Sequence, residues 1–176
     1  WMIMVMRIVN RTTGLAAGLL DSLAVLGLGS WLSLEGNWGY GVITAVAFLL
    51  DDQLPRRVRR QLIPTALAVA ATVTIAIVGG ELPGEGPPSV LGGLIGLALS
   101  ALFLPVMLSA RHVESVGDRS QEPLKPIRVQ AAQVLALLTA VETITLGGTA
   151  TLGTLVPLWA ALLGASIYWL YLVVKP

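Results

Sequence analysis

The chain has 176 residues, 55% of them hydrophobic and 12% charged, with 19 glycines and a formal charge of +1. Soluble proteins carry roughly 45–50% apolar residues even with glycine counted, and about 25% charged ones. This composition, with a mean hydropathy of +0.81, is that of a membrane protein. It excludes a disordered chain, a nucleic-acid-binding domain and a secreted disulfide scaffold.

The scarce residues narrow the chemistry. Cysteine is absent, so there is no disulfide, iron–sulfur cluster or thiolate zinc site. His112 is the single histidine, which excludes paired-histidine haem ligation and multi-histidine metal sites within one chain. Lys125 and Lys175 are the two lysines and lie outside the apolar runs, leaving no mid-membrane Schiff-base residue. No cofactor is expected. There is no nucleophile elbow and no acid cluster with metal-ligand spacing, so an enzyme is the least favoured class. Its one foothold is the Asp51-Asp52 doublet, where a lipid-headgroup enzyme would place Mg²⁺.

In chain order, Trp1–Arg7 reads as a short interfacial lead without a cleavable signal. Six apolar runs follow at about 12–34, 37–54, 61–80, 89–110, 128–148 and 152–174, near the roughly 20 residues that a spanning helix needs. The second is the weakest, because Asp51 and Asp52 follow Leu50 at once. Within it, Gly39-Tyr40-Gly41 lacks the Thr-Val that precedes this tripeptide in potassium filters and runs straight into the helix, so it reads as a helix start. Gly-Pro-rich connections join the runs on one side. On the other lie the loops at about 55–60 and 111–127.

Charge distribution fixes the threading. Arg7, Arg11, Arg56, Arg57, Arg59, Arg60, Arg111, Arg119, Lys125, Arg128 and Lys175 all fall on one side of a six-span path. The opposite connections, 35–41, 81–88 and 147–151, contain no Lys or Arg and three acids, Glu35, Glu81 and Glu85. Short basic loops stay cytoplasmic. The expected fold is an all-α integral membrane protein, a single polytopic domain of three antiparallel hairpins in the cytoplasmic or equivalent membrane, with both termini inside. Aromatics are expected in two belts, Trp31, Trp38, Tyr40 and Trp159 on the outer side and Tyr168, Trp169 and Tyr171 on the inner.

Two acids fall within runs, Asp21 and Glu142. A charge at membrane depth is costly and normally faces the bundle or a cavity. Around Asp21, Gly14, Ala17, Gly18 and Ala24 suggest a small-residue face for close helix contact, with Val25 its one bulkier member. Glu142 shares a polar stripe with Thr139 and Thr145, and Thr72 and Thr74 offer hydroxyls at similar depth. The reading is a small transporter or channel component whose carboxylates line a path for an ion or solute. The alternative is a non-catalytic subunit that docks on a larger membrane complex. Arg56, Arg57, Arg59 and Arg60 are candidates for contact with lipid headgroups or a partner. The expected partners are the bilayer and companion membrane subunits or further copies of the chain, and not nucleic acid.

Overall fold

A computed structural model describes residues 1–78, 89–111, 113, 115–146, 153 and 155–175. Its elements are α1 (Met2–Asn10), α2 (Leu19–Glu35), α3 (Gly39–Gln53), a 3₁₀ turn (Arg59–Gln61) leading into α4 (Leu62–Val78), α5 (Val90–Ser109), α6 (Pro126–Leu146) and α7 (Val156–Val174). Among the described residues there is no strand, only an isolated bridge between Val116 and Pro123. The connections 81–88 and 147–151, with Glu81 and Glu85, lie outside the described residues, as do His112 and Glu114.

Helix limits follow local chemistry. Pro126 opens α6 and Pro157 sits in the first turn of α7, where a missing N–H costs nothing. Ser89 caps α5, its Oγ accepting from the Gly92 N–H at 3.2 Å. Arg59–Val78, Val90–Ser109, Pro126–Leu146 and Val156–Val174 are long and apolar enough to cross a membrane. Their outward faces carry Ile63, Ile77, Val90, Leu94, Ile167 and Val174, an apolar surface suited to lipid rather than water. The chain is an α-helical, membrane-embedded protein.

Each of the six expected runs contains one helix, but the first two helices are short. With 17 and 15 residues, α2 and α3 are about 26 and 23 Å long at roughly 1.5 Å per residue. The first run loses residues 12–18 because Gly14, at φ +77°, turns the chain before helix can begin.

The opening segment departs from expectation. Rather than an interfacial lead, Met2–Asn10 is a helix in the middle of the bundle, packed on α3 and α6. Val5, Ile8 and Val9 recur at helical spacing and are sealed inside, joined by Val25, Phe48, Ala132 and Leu135. A second core gathers Phe103, Ala136, Ala140, Leu158, Trp159 and Leu162 from α5, α6 and α7.

Pairing also differs from three successive hairpins. Helix α3 packs on both α2 and α4, whereas α5 packs on α6 and α7; α4 and α5 make at most marginal contact among the described residues. The reason lies in α3, whose small residues let its neighbours approach closely. A β-carbon built on Gly41 would lie 2.2 Å from Thr72 Oγ1 of α4 and 2.9 Å from Ser33 Oγ of α2.

Two of the expected belt aromatics are core residues. Trp159 is 6% exposed and fills the space left by Gly96. Tyr40, equally buried, meets the Trp1 ring edge-on at 5.2 Å. Trp31, Tyr168 and Tyr171 are exposed.

Candidate functional site

At one end of the bundle, α1, α3 and α6 meet in a buried cluster of charge. Asp51, 0% exposed near the C-terminus of α3, receives Arg11 through Nε at 2.8 Å and Nη2 at 2.7 Å, and Arg128 through Nη1 at 2.8 Å. Arg11 and Arg128 are 6% and 2% exposed. Gln61 Nε2 reaches the other carboxylate oxygen at 3.3 Å, and its Oε1 accepts from Ser22 Oγ of α2 at 3.1 Å. The guanidiniums also bind carbonyls that end helices. Arg128 donates to Val9, Asp51, Leu54 and Pro55, and Arg11 to Asp51 and Arg56. Cations suit helix C-termini, where carbonyls lack intrahelical donors. The cluster therefore closes α1 and α3 while it ties them to α6.

The remaining basic loops gather around it. The N–H groups of Asp118, Arg119 and Ser120 donate to the carbonyls of Thr12 and Thr13, so the 111–127 connection docks on the segment before α2. Gly14 is required there, since its φ is positive and a β-carbon would fall 1.7 Å from Ser120 Oγ. Arg56 pairs with Glu122, and Arg60 donates to the Ala17 carbonyl; Arg57 and Arg59 are exposed.

Glu142 lies near the far end of α6, about 21 Å along the axis from Arg128 at roughly 1.5 Å per residue. It is 8% exposed. Its side chain packs on the main chain of Gly39 at the start of α3, where a β-carbon would lie 2.5 Å from its Cγ. Asn37 Oδ1, which accepts from the Gly39 N–H at 2.7 Å, flanks the same glycine. Thr143 Oγ1 stands 3.5 Å from Glu142 Oε2, while Oε1 is buried without a hydrogen-bond partner. Antiparallel α3 and α6 are thus joined by Asp51–Arg128 at one end and by Gly39–Glu142 at the other.

The other residues singled out from sequence are dispersed. Asp21 is in the first turn of α2, exposed, its Oδ2 accepting from the Gly18 N–H at 2.9 Å as a helix cap. It shares a recess of about 50 Å³ with Arg7 and Val25. Because Gly14, Ala17 and Gly18 precede the helix, the small-residue face expected around Asp21 does not form on one helical surface. Thr139 is fully buried, donating to the Leu135 carbonyl and touching Met2 Sδ at 3.3 Å. Thr72 is buried between helices, whereas Thr74 and Thr145 are exposed. All four hydroxyls donate to carbonyls four residues earlier. The stripe of Thr139, Glu142 and Thr145 accordingly splits, and Thr143 takes the place beside the carboxyl.

Arg11, Arg128 and Asn37 are site residues that the sequence does not single out, and Asp51 enters from sequence only as a candidate Mg²⁺ ligand. The available signal was charge at the edge of apolar runs: Asp51 ends the second, and Arg128 opens the fifth. Both oxygens of Asp51 are engaged, Oδ1 by the two arginines and Oδ2 by the Gln61 amide, so a metal ion would have to displace these donors. Among the described residues no three His, Asp or Glu side chains converge on a metal position. Comparison with protein-family models, curated proteins and solved structures finds no match.

Proposed function

We propose that the protein is a small six-span membrane transporter or channel component, with its basic end in the cytoplasm and Glu142 as the residue that handles the ion or solute. One observation carries this reading. Glu142 is buried in a membrane-embedded helix, has an unpartnered carboxyl oxygen, and is about 21 Å along α6 from the arginines that would otherwise neutralise it. The inward placement of the basic end is supported by the gathering of residues 12–18, 54–61 and 115–125 around the Arg11–Asp51–Arg128 cluster, all on the side rich in Lys and Arg. Asp21, with the Arg7 recess, stands at the inner mouth of such a path, and of the four threonines only the buried Thr72 and Thr139 would flank it, since Thr74 and Thr145 are exposed. Exposed Arg57 and Arg59, with Arg56 and Arg60, face anionic headgroups, each contributing about 1 kcal/mol.

The test is Glu142→Gln in proteoliposomes, which keeps shape and removes charge. A transport role gives loss of proton, sodium or small-solute flux with melting unchanged. A second reading, an accessory subunit of a larger membrane complex, is favoured by the intrahelical engagement of the four threonine hydroxyls, which leaves them no free donor for a solute. It gives unchanged flux in Glu142→Gln and copurification with a defined companion chain.

A further inference from the structure

We infer that the cleft between α6 and α7 is a binding site for a neutral, single-chain amphiphile, whose hydroxyl head bonds the side-chain amides of Gln133 and Asn10. The cleft holds about 260 Å³ and is walled by α1, α5, α6 and α7. It exists because α7 packs closely on α5 and only sparsely on α6. Every lining residue is apolar except Asn10 and Gln133; Met6, Phe103, Leu158 and Leu162 are typical. Asn10 Oδ1 and Gln133 Oε1 are shut off from solvent and accept no hydrogen bond among the described residues. A buried oxygen left unpaired is costly, and two on one apolar cleft call for a donor from outside the chain. The site is separate from Glu142, which packs on α3.

The cleft is polarised along its length. Asn10 adjoins Arg11 and also borders the small recess that holds Arg56 and Lys125. Gln133 is about 7.5 Å along α6 from Arg128 at 1.5 Å per residue. Leu158 lies at the other end, beside Trp159, which meets Gly96 together with Ile144. The head therefore sits toward the basic end and the chain toward the membrane interior. No charged residue lines the cleft. A carboxylate or phosphate head would set acceptors against acceptors with no cation beside it, and an ammonium would be buried without a counter-ion. A hydroxyl donates to one amide oxygen and takes an amide N–H on its lone pairs. Size sets the chain. An apolar cavity of roughly 150 Å³ takes benzene, so this one takes the head with an alkyl chain on the order of ten carbons. Exposed Ala161 and half-buried Ala165 form the lip on α7, where a longer chain passes out to lipid. Water alone does not fill such a space, since each ordered water needs two to four polar partners and beyond the two amides the walls offer none.

The experiment is photolabelling of the full chain in lipid nanodiscs with a diazirine-bearing decanol, followed by peptide mass spectrometry. Label should be saturable on the peptides that carry Gln133 and Ala161. Decanol should displace it at about tenfold lower concentration than decyl methyl ether, which has the same chain and no donor. Gln133→Leu should weaken labelling about tenfold with melting retained or raised, because an unpaired oxygen is removed. Ala165→Phe, which places a ring at the lip, should block labelling, whereas Glu142→Gln should label as the wild type does. Equal displacement by the two compounds, with Gln133→Leu labelled as strongly as wild type, overturns the assignment and leaves a crevice for any acyl chain. Label that rises without saturation on α4, α5, α6 and α7 alike overturns it too, since the probe then reports bulk lipid. Loss of label in Gln133→Leu together with a fall in melting also overturns it, because the amide is then structural.

Discussion

Replacing Asp51 by Asn tests whether the buried charge cluster holds the bundle together. The substitution keeps an oxygen at the position where Arg11 and Arg128 converge at 2.7–2.8 Å, but it removes the one negative charge between two guanidiniums no more than 6% exposed. It also sets an NH₂ group against Gln61 Nε2, donor to donor, unless Gln61 turns its amide over. The arginines retain their carbonyl partners at Val9, Leu54, Pro55 and Arg56, so desolvation is only partly uncovered. Removing one partner of a buried ion pair costs about 3–5 kcal/mol. For a domain of this size, 1 kcal/mol corresponds to about 2–4 °C. A fall in melting temperature on the order of 10 °C is therefore expected in thermal unfolding of the purified protein in micelles. Adding Arg11→Met to Asp51→Asn removes one uncompensated charge and should recover part of the loss. An Asp51→Asn protein that melts with the wild type would refute the assignment of Asp51 as the anchor of α1, α3 and α6.

Gly14→Ala should loosen the docked 115–125 loop, because the new β-carbon meets Ser120 at a positive φ; protease cleavage within that loop should accelerate, at a cost of about 1–3 kcal/mol for the strained backbone. Asp21→Asn should lower stability by no more than about 1 kcal/mol through the weakened cap and reduce flux less than Glu142→Gln does; an equal loss of flux would make Asp21 a second site within the path rather than a residue at its mouth. Cysteines placed at exposed Arg119 and at Gly84 should label from opposite sides of sealed vesicles, and labelling from the same side would end the six-span threading. Arg57→Ala with Arg59→Ala should leave melting unchanged, since neither side chain has a hydrogen-bonding or ionic partner among the described residues, whereas Arg60→Ala loses its bond to Ala17 and should lower it.

Composition and period determined the membrane class and placed one apolar helix in each of the six runs, four of them long and apolar enough to span, because burial in lipid demands long uninterrupted apolar stretches whatever they pack against. The grouping of all 11 basic residues between or at the edges of the apolar runs is legible in the linear order alone. Glu142 could be singled out since a lone acid in an apolar run stands out without any knowledge of neighbours. What the linear order could not supply was adjacency. Arg11, Asp51 and Arg128 are separated by 40 and 77 residues and looked like boundary charges; only the packing of α1 between α3 and α6 turns them into one buried cluster. The opening segment is too short and too mixed to announce a core helix, and it becomes one because Val5, Ile8 and Val9 find partners in distant helices. The same holds beside Glu142, where Asn37 and Thr143 rather than Thr145 complete the surroundings. Helical spacing tells which residues share a face, but which face is covered, and by what, is decided by tertiary contacts alone.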